Sequence, residues 1–355
     1  MKGFFMGKNR NVVVMTGTSE DANGGITAVI KLMRKMPVWE KYNVYWLATQ
    51  TNETGKKNKL WMAIKAAVKA PFLIKNCKIV HFHMVPGITL LIQLPELLVA
   101  KMFRKKVILE VHVGNQLEHY AKDRFFKWWF KRADLILLLA KRWEELFKTS
   151  YSDVNVSTDV LYNACEMRPF IPMNTKKKEI LFCGTIHDNK APDLLIKAWA
   201  ALKDKYPGWT ISFLGSGQID YYMNMAKDLG VDNCISFTGF ITGEKKERYF
   251  QDASILCLCS YMEGFPMAVL EAWSHSIAVV TTPVGGLPDV VQEGDNCLTF
   301  PMGNSSVLAR QLEKLVTDSE LRQRVSKGGY ELAEHNFSIA TISNKLDEIY
   351  SSLLK

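Results

Sequence analysis

Ser254-Ile255-Leu256-Cys257-Leu258-Cys259 is an almost unbroken apolar run, and it leads through Ser260-Tyr261-Met262 into Glu263-Gly264-Phe265-Pro266-Met267-Ala268-Val269-Leu270-Glu271. A continuous run of this length is expected for a parallel strand covered on both faces. Pro266 suits the first turn of a following helix, where its missing N–H costs nothing. That helix would offer the N–H groups of Met267, Ala268 and Val269, together with the positive end of its dipole, to a diphosphate. Glu263 falls in the loop before the helix and Glu271 about one turn inside it. Two carboxylates repel a phosphate, so they would accept hydrogen bonds from neutral hydroxyls, one set on a sugar and one on a ribose. An ordinary solvated helix with acidic residues near its start explains the same pair.

Downstream, Ala278-Val279-Val280-Thr281-Thr282-Pro283-Val284-Gly285-Gly286-Leu287-Pro288-Asp289 is a short apolar strand ending in a Pro/Gly turn. The order strand, helix, strand, Gly-rich loop is that of an open α/β sheet, where ligands bind beyond the strand C-termini. Gly285-Gly286 permits close backbone approach to a ligand, and a plain turn would account for it equally. Upstream, the alternation begins at Ile180-Leu181-Phe182-Cys183. An earlier series runs through Val12-Val13-Val14-Met15, Ile79-Val80-His81-Phe82 and Val107-Ile108-Leu109-Glu110-Val111. With 355 residues and 48% hydrophobic content, the chain exceeds one ordinary core. The reading is α/β, with two doubly wound parallel sheets. The break falls in Arg168-Pro169-Phe170-Ile171-Pro172-Met173, and a ligand is expected in the cleft between the domains.

Gly24-Gly25 after the first strand, His112 after a strand, Leu161-Tyr162-Asn163, Phe182-Cys183-Gly184 with Lys190, Gly215-Ser216-Gly217 and the paired glutamates occur in this order along the chain. In that order they resemble glycosyltransferase family 4, the retaining nucleotide-sugar transferases of the GT-B fold (glycosyl transferases group 1). The resemblance implies two Rossmann-like domains facing a cleft. Residues 1–168 would be the acceptor-binding domain, 169–336 the nucleotide-sugar-binding domain, and 337–355 a helix returning to the first.

It also implies sugar transfer, with retention, from a UDP-, GDP- or ADP-sugar to an acceptor hydroxyl, without cofactor or metal. Bacterial polysaccharide, lipopolysaccharide or lipid-linked glycan synthesis is the expected setting. Glu263 would contact the donor sugar near the reacting carbon, Lys190 would neutralise the diphosphate, and His112 would contact sugar or acceptor. Glu271 would bind the ribose, with Gly264, Phe265, Pro266, Met267, Ala268, Val269, Gly24, Gly25, Gly184, Thr185, Gly215 and Asn163 around the donor. Thr185 stands where the family has arginine, Ala164 and Ser276 where it tends to glycine. A nucleotide-sugar epimerase and a non-catalytic sugar- or membrane-binding subunit are the rival readings, the latter favoured by Thr185.

Charge is asymmetric. Up to Phe170 there are 27 Lys and Arg against 14 Asp and Glu; beyond it, 18 against 22. The basic residues interleave with apolar ones: Lys56, Lys57, Lys59, Trp61, Lys65 and Lys69; the segment 101–106; and Lys127-Trp128-Trp129-Phe130-Lys131-Arg132. Lysine beside tryptophan suits an anionic membrane surface, although Trp128 and Trp129 would serve equally as core. Zinc-finger spacing and RNA-binding aromatic motifs are absent, which argues against nucleic acid. The most apolar stretch, 84–100, contains Pro86, Gln93, Pro95 and Glu96 and falls short of a bilayer span. Residues 1–8 lack a signal-peptide core, and seven cysteines without C-x-x-C spacing read as reduced thiols. The chain is therefore expected in the cytoplasm, at the inner face of the cell membrane. His81 and His83 alternate at a strand end but have no carboxylate cluster near them in sequence, so no metal is expected. The glycine pairs at 24–25 and 215–217 lack the third glycine of a dinucleotide fingerprint.

Overall fold

The computed structural model describes residues 11–22, 24–51, 56–85 and 87–355. Residues 1–8 and Pro86, which enter the readings above, lie outside them. The chain divides into two compact units, Met1–Ala164 with Ile339–Lys355, and Cys165–Ser338.

The first unit runs β1 (Val13–Thr18), α1 (Gly25–Met33), α2 (Pro37–Lys41), β2 (Tyr45–Gln50), α3 (Lys56–Asn76), β3 (Ile79–Met84), α4 (Ile88–Ile92), α5 (Leu94–Met102), β4 (Lys106–Val111), α6 (Arg124–Phe130), β5 (Leu135–Leu138), α7 (Lys141–Ser150) and β6 (Ser157–Val160). Its six strands pair in parallel in the order β2-β1-β3-β4-β5-β6. All six residues of β1 and of β3 are buried, as expected for central parallel strands with helices on both faces. Asp123 starts α6 by accepting from the Phe125 and Phe126 N–H groups at 2.8 and 3.2 Å, and so carries Trp129 into the core edge-on to Phe82, 5.7 Å between centroids.

The second unit runs β7 (Lys177–Cys183), α8 (Pro192–Ala200), β8 (Thr210–Leu214), α9 (Ile219–Asp228), β9 (Ile235–Gly239), α10 (Gly243–Asp252), β10 (Ala253–Leu258), α11 (Met267–Ser274), β11 (Ala278–Thr281), β12 (Leu298–Thr299), α12 (Ser305–Thr317) and α13 (Ser319–Asn336). Again the strands are parallel, ordered β12-β11-β10-β7-β8-β9. Phe182, Trp199, Phe213, Leu308 and Leu312 fill its core. From β7 the chain winds outward to β9 and then returns to the other side of β7 with β10, so the winding reverses between β7 and β10. Crevices beyond the strand C-termini at such a reversal are where open α/β sheets hold ligands.

After α13, α14 (Ile339–Leu354) packs in the first unit. Ser343 Oγ accepts from the Val38 N–H at 3.3 Å, Tyr42 OH donates to Asp347 Oδ1 at 2.7 Å, and the buried Tyr350 OH meets His81 Nδ1 at 2.9 Å. All seven cysteines are free thiols, five of them fully buried. Among the described residues no helix is long and apolar enough to cross a membrane.

Candidate active site

In the second unit the reversal point holds the residues that sequence reading singled out. β7 ends at Cys183, and a short turn brings Lys190 back over the sheet. Tyr222 OH donates to Asp188 Oδ1 at 2.9 Å, the Tyr261 N–H donates to the Asn189 carbonyl at 2.8 Å, and Asn189 Nδ2 donates to the Met262 carbonyl at 3.3 Å. The first bond ties the loop after β7 to α9, and the other two clip it to the loop after β10. Lys190 Nζ consequently forms an ion pair with Glu263 Oε1, which also accepts from Ser260 Oγ at 2.6 Å. Their side chains are 24% and 11% exposed, so Lys190 is not a freely solvated lysine.

Glu271, inside α11, is held differently. Lys246 of α10 donates to its Oε1 and Oε2 at 2.8 and 2.6 Å. Burial works against charge on Lys246, but the Glu271 carboxylate outweighs it and the pKa is raised. Cys183 sits within the fields of Lys190, Lys246 and Glu271, and burial still pushes its thiol up to about 12. It is a neutral thiol, not a nucleophile. Each glutamate therefore has its own ammonium partner within the second unit. Lys246 was missed because the pairing is tertiary: its polar helix, Gly243-Glu244-Lys245-Lys246-Glu247-Arg248, reads as a solvated face.

Pro266 is the residue before α11 and has extended backbone angles, one position earlier than its sequence reading placed it. The Val269 N–H donates to the Pro266 carbonyl at 3.2 Å. That corrects the expectation of three open amides to two, those of Met267 and Ala268. Phe265 is buried, its ring 5.3 Å from that of Phe337, so it packs the base of the loop. Gly285, at φ +63°, lies against this loop: a Cβ there would sit 2.6 Å from the Gly264 carbonyl oxygen, while the Gly286 N–H donates to that oxygen at 2.9 Å. The close approach is to backbone. Gly184 and Gly215 are likewise apposed, a Cβ at Gly215 falling 1.8 Å from the Gly184 oxygen. Thr185 lies in the same zippered turn.

Gly24, Gly25, His112 and Asn163 belong to the first unit. Gly25 opens α1, and a Cβ on it would meet nothing within 4 Å. Asn163 is buried just after β6. His112 ends a chain of titratable groups. His81 and His83 alternate on one face of β3, and register pairs His83 with Glu110 of β4. The carboxylate that the sequence reading did not find beside the histidines therefore comes from the neighbouring strand. Glu110 lies 3.0 Å from His81 Nε2, 3.7 Å from His83 Nδ1 and 3.3 Å from His112 Nε2, and His83 Nδ1 is 2.7 Å from His112 Nε2. His81, His83 and Glu110 present ligand atoms within 4.8 Å of one another, a set able to hold a metal ion.

Burial opposes charge throughout this cluster. At Glu110 the surrounding imidazoles outweigh it and hold the carboxyl down to about 2. At His83 and His112 burial prevails, and both stay below the ordinary imidazole range. The first unit is expected to lose stability on acidification, because the unfolded chain takes up protons that the folded one refuses. Loss should begin as pH falls through 6.5, the ordinary histidine value, and Glu110 should add to it between 4.5 and about 2. Calorimetry of the intact chain and of His83→Asn would check this: the variant should show a shallower fall in Tm, and equal slopes would show that His83 is not responsible.

Residues 165–332 match the family described as "Glycosyl transferases group 1". That segment is a glycosyl transferases group 1 domain. It runs from β7 into α13 and includes Lys190, Lys246, Glu263 and Glu271. A D-inositol 3-phosphate glycosyltransferase of Corynebacterium aurimucosum is 29% identical over 204 residues, 56% of this chain and 48% of that protein. Another from Streptomyces bingchenggensis is 32% identical over 164 residues, 43% and 36% of the two chains. The chain spans about half the length, or less, of such curated relatives. Among solved structures, Anabaena HepE in complex with UDP-glucose superposes with TM-score 0.74 at 17% identity, covering 96% of this chain and 99% of that one. Sucrose-phosphate synthase of Thermosynechococcus elongatus gives 0.75 at 16%, covering 97% and 99%. The group 1 domain is thus one half of a GT-B fold, two six-stranded parallel sheets flanked by helices.

Proposed function

We propose that the chain is a family 4 glycosyltransferase that moves a sugar, with retention and without a metal, from a nucleoside diphosphate sugar to an acceptor hydroxyl. The observation that carries this reading is the meeting of Lys190, Glu263 and the open Met267 and Ala268 amides where the second sheet reverses its winding. As the bond to the leaving diphosphate lengthens, negative charge grows on its oxygens. Fixed donors stabilise that charge without reorganising. Lys190 carries three N–H donors, so it can serve a phosphate while still bonded to Glu263. Lys246 supplies a second ammonium in a domain that has Thr185 in place of arginine. Glu271 binds the ribose, releasing part of its hold on Lys246. HepE was solved with UDP-glucose, which makes UDP-sugars the first donors to test. A sugar or lipid-linked acceptor at the cytoplasmic membrane face, in surface glycan synthesis, completes the reading.

A thermal-shift panel of UDP, GDP, ADP and their sugars tests it. A ligand at about 100 times its Kd stabilises the native state by about 2.7 kcal/mol, which for the unit Cys165–Ser338 raises Tm by about 5 °C or more. One base series should act, the shift should vanish in Glu271→Ala, and Glu263→Ala should keep the shift but lower turnover, with chelators leaving the wild type unchanged. No response to any nucleotide would move the assignment to a non-catalytic subunit.

A further inference from the structure

We propose that α3 and α5 of the first unit form a docking face for an anionic lipid bilayer. This deepens the membrane part of the reading above and is independent of chemistry in the second unit. A surface helix buries one stripe and gives a polar face to water. α3 buries Ala66, Ala70 and Ile74 at four-residue spacing. Its opposite side is apolar as well: Leu60, Ile64, Val68 and Phe72 recur at the same spacing with Trp61 beside them, and Phe72 and Leu60 are 75% and 64% exposed. α5 packs next to α3 and adds exposed Leu98 and Met102. Single exposed hydrophobes are ordinary, but a continuous stripe marks an interaction surface.

Charge identifies the occupant. Between Glu53 and Glu96 the sequence has seven lysines and no acidic residue. Glu96 is itself buried in α5, and burial pushes its carboxyl up to about 7. Lys65 and Lys69 run along one edge of the stripe at four-residue spacing, Lys75 closes its end, and Lys65 lies 5.3 Å from the Trp61 ring centroid. Among the described residues Lys59, Lys65, Lys69 and Lys75 have no carboxylate partner. Near α5, Lys101 and Lys106 share the single carboxylate of Asp134 at 3.5 and 3.4 Å.

The third basic stretch of the sequence is closed on itself by contrast. Lys127 and Lys131 both clamp Asp153 at 2.7 and 3.1 Å, Arg132 covers Trp128, and Trp129 is core. A second copy on the α3 face would set lysines against lysines, which is repulsive. An anionic bilayer satisfies both features: its acyl boundary takes the apolar stripe, and its headgroups take the lysines on their long stems.

Vesicle co-sedimentation of the full chain decides the matter. Vesicles containing phosphatidylglycerol should bind it, pure phosphatidylcholine should bind it at least about tenfold more weakly, and salt should release it. Lys65→Gln/Lys69→Gln and Trp61→Ser/Val68→Ser/Phe72→Ser should each lower binding about tenfold or more, with Tm retained because every altered side chain is exposed. Lys127→Gln/Lys131→Gln should bind like the wild type. Failure to bind anionic vesicles, undiminished binding by the stripe variant, or a dimer that the stripe variant dissolves would overturn the proposal. Nucleotide thermal shifts on the same samples without lipid separate this outcome from failure of the transferase reading.

Discussion

Lys190→Met is expected to lower turnover of a nucleotide sugar by about 10²- to 10³-fold, the cost of removing one preorganised donor to a developing oxyanion, with a much smaller change in donor affinity. Methionine keeps the length of the side chain and removes only the charge and its three donors. The complication is that Glu263 then loses its ammonium while remaining 11% exposed, with Ser260 still donating to it. A structural role for Lys190 would operate through that stranded carboxylate. Lys190→Met/Glu263→Gln separates the two cases, because it removes the stranded charge and restores neutrality without restoring a cation for the phosphate. If Lys190 acts on the leaving group, the double variant regains Tm and turns over far more slowly than Glu263→Gln alone. Equal turnover in the double variant and in Glu263→Gln would show that the pair merely holds the loop.

Different kinds of physical information were legible in the sequence to different degrees. Strand β10 could be read from composition alone, because a parallel strand buried on both faces is almost continuously apolar. β12, two residues long, and β6, Ser157–Val160, could not, since edge strands have one open side and tolerate polar residues. The approach of Lys190 to Glu263 was accessible only as an implication of resemblance: the residues are 73 positions apart, and what joins them is sheet order. Glu110 reached the histidines through register, one strand over, which no local pattern records. The outer stripe of α3 was hidden for a related reason. Its helix is apolar on two opposite sides, so periodicity alone does not say which side faces the sheet. Only the packing of Ala66, Ala70 and Ile74 settles which side is left open.

Gly215→Ala is expected to destabilise the second unit by about 3 kcal/mol or more and to lower turnover of a nucleotide sugar by about 10²-fold. The added Cβ would fall 1.8 Å from the Gly184 carbonyl oxygen and 2.8 Å from its carbon, and neither backbone has room to retreat. Gly184 N–H is bonded to the Leu214 carbonyl, Gly215 N–H to that of Gly239, Ile186 N–H to that of Ser216, and Gln218 N–H to that of Ile186, at 3.0, 3.0, 2.9 and 2.8 Å. Relief requires parting the two loops, which sacrifices at least two of these bonds at about 1 kcal/mol each and adds overpacking strain of about 1–3 kcal/mol. For the unit Cys165–Ser338 that lowers Tm by about 6–12 °C. The functional consequence follows from connectivity, because the displaced loop is the one that carries Lys190, and a shift of about 1 Å in a positioned group can cost 10²-fold in rate. Gly25→Ala is the matched comparison: its Cβ meets nothing within 4 Å, so stability should change by less than about 0.5 kcal/mol. A wild-type Tm in Gly215→Ala would mean that the glycine apposition is not what fixes the loop, and the placement of Lys190 would then rest on the Asn189 and Tyr222 clips alone.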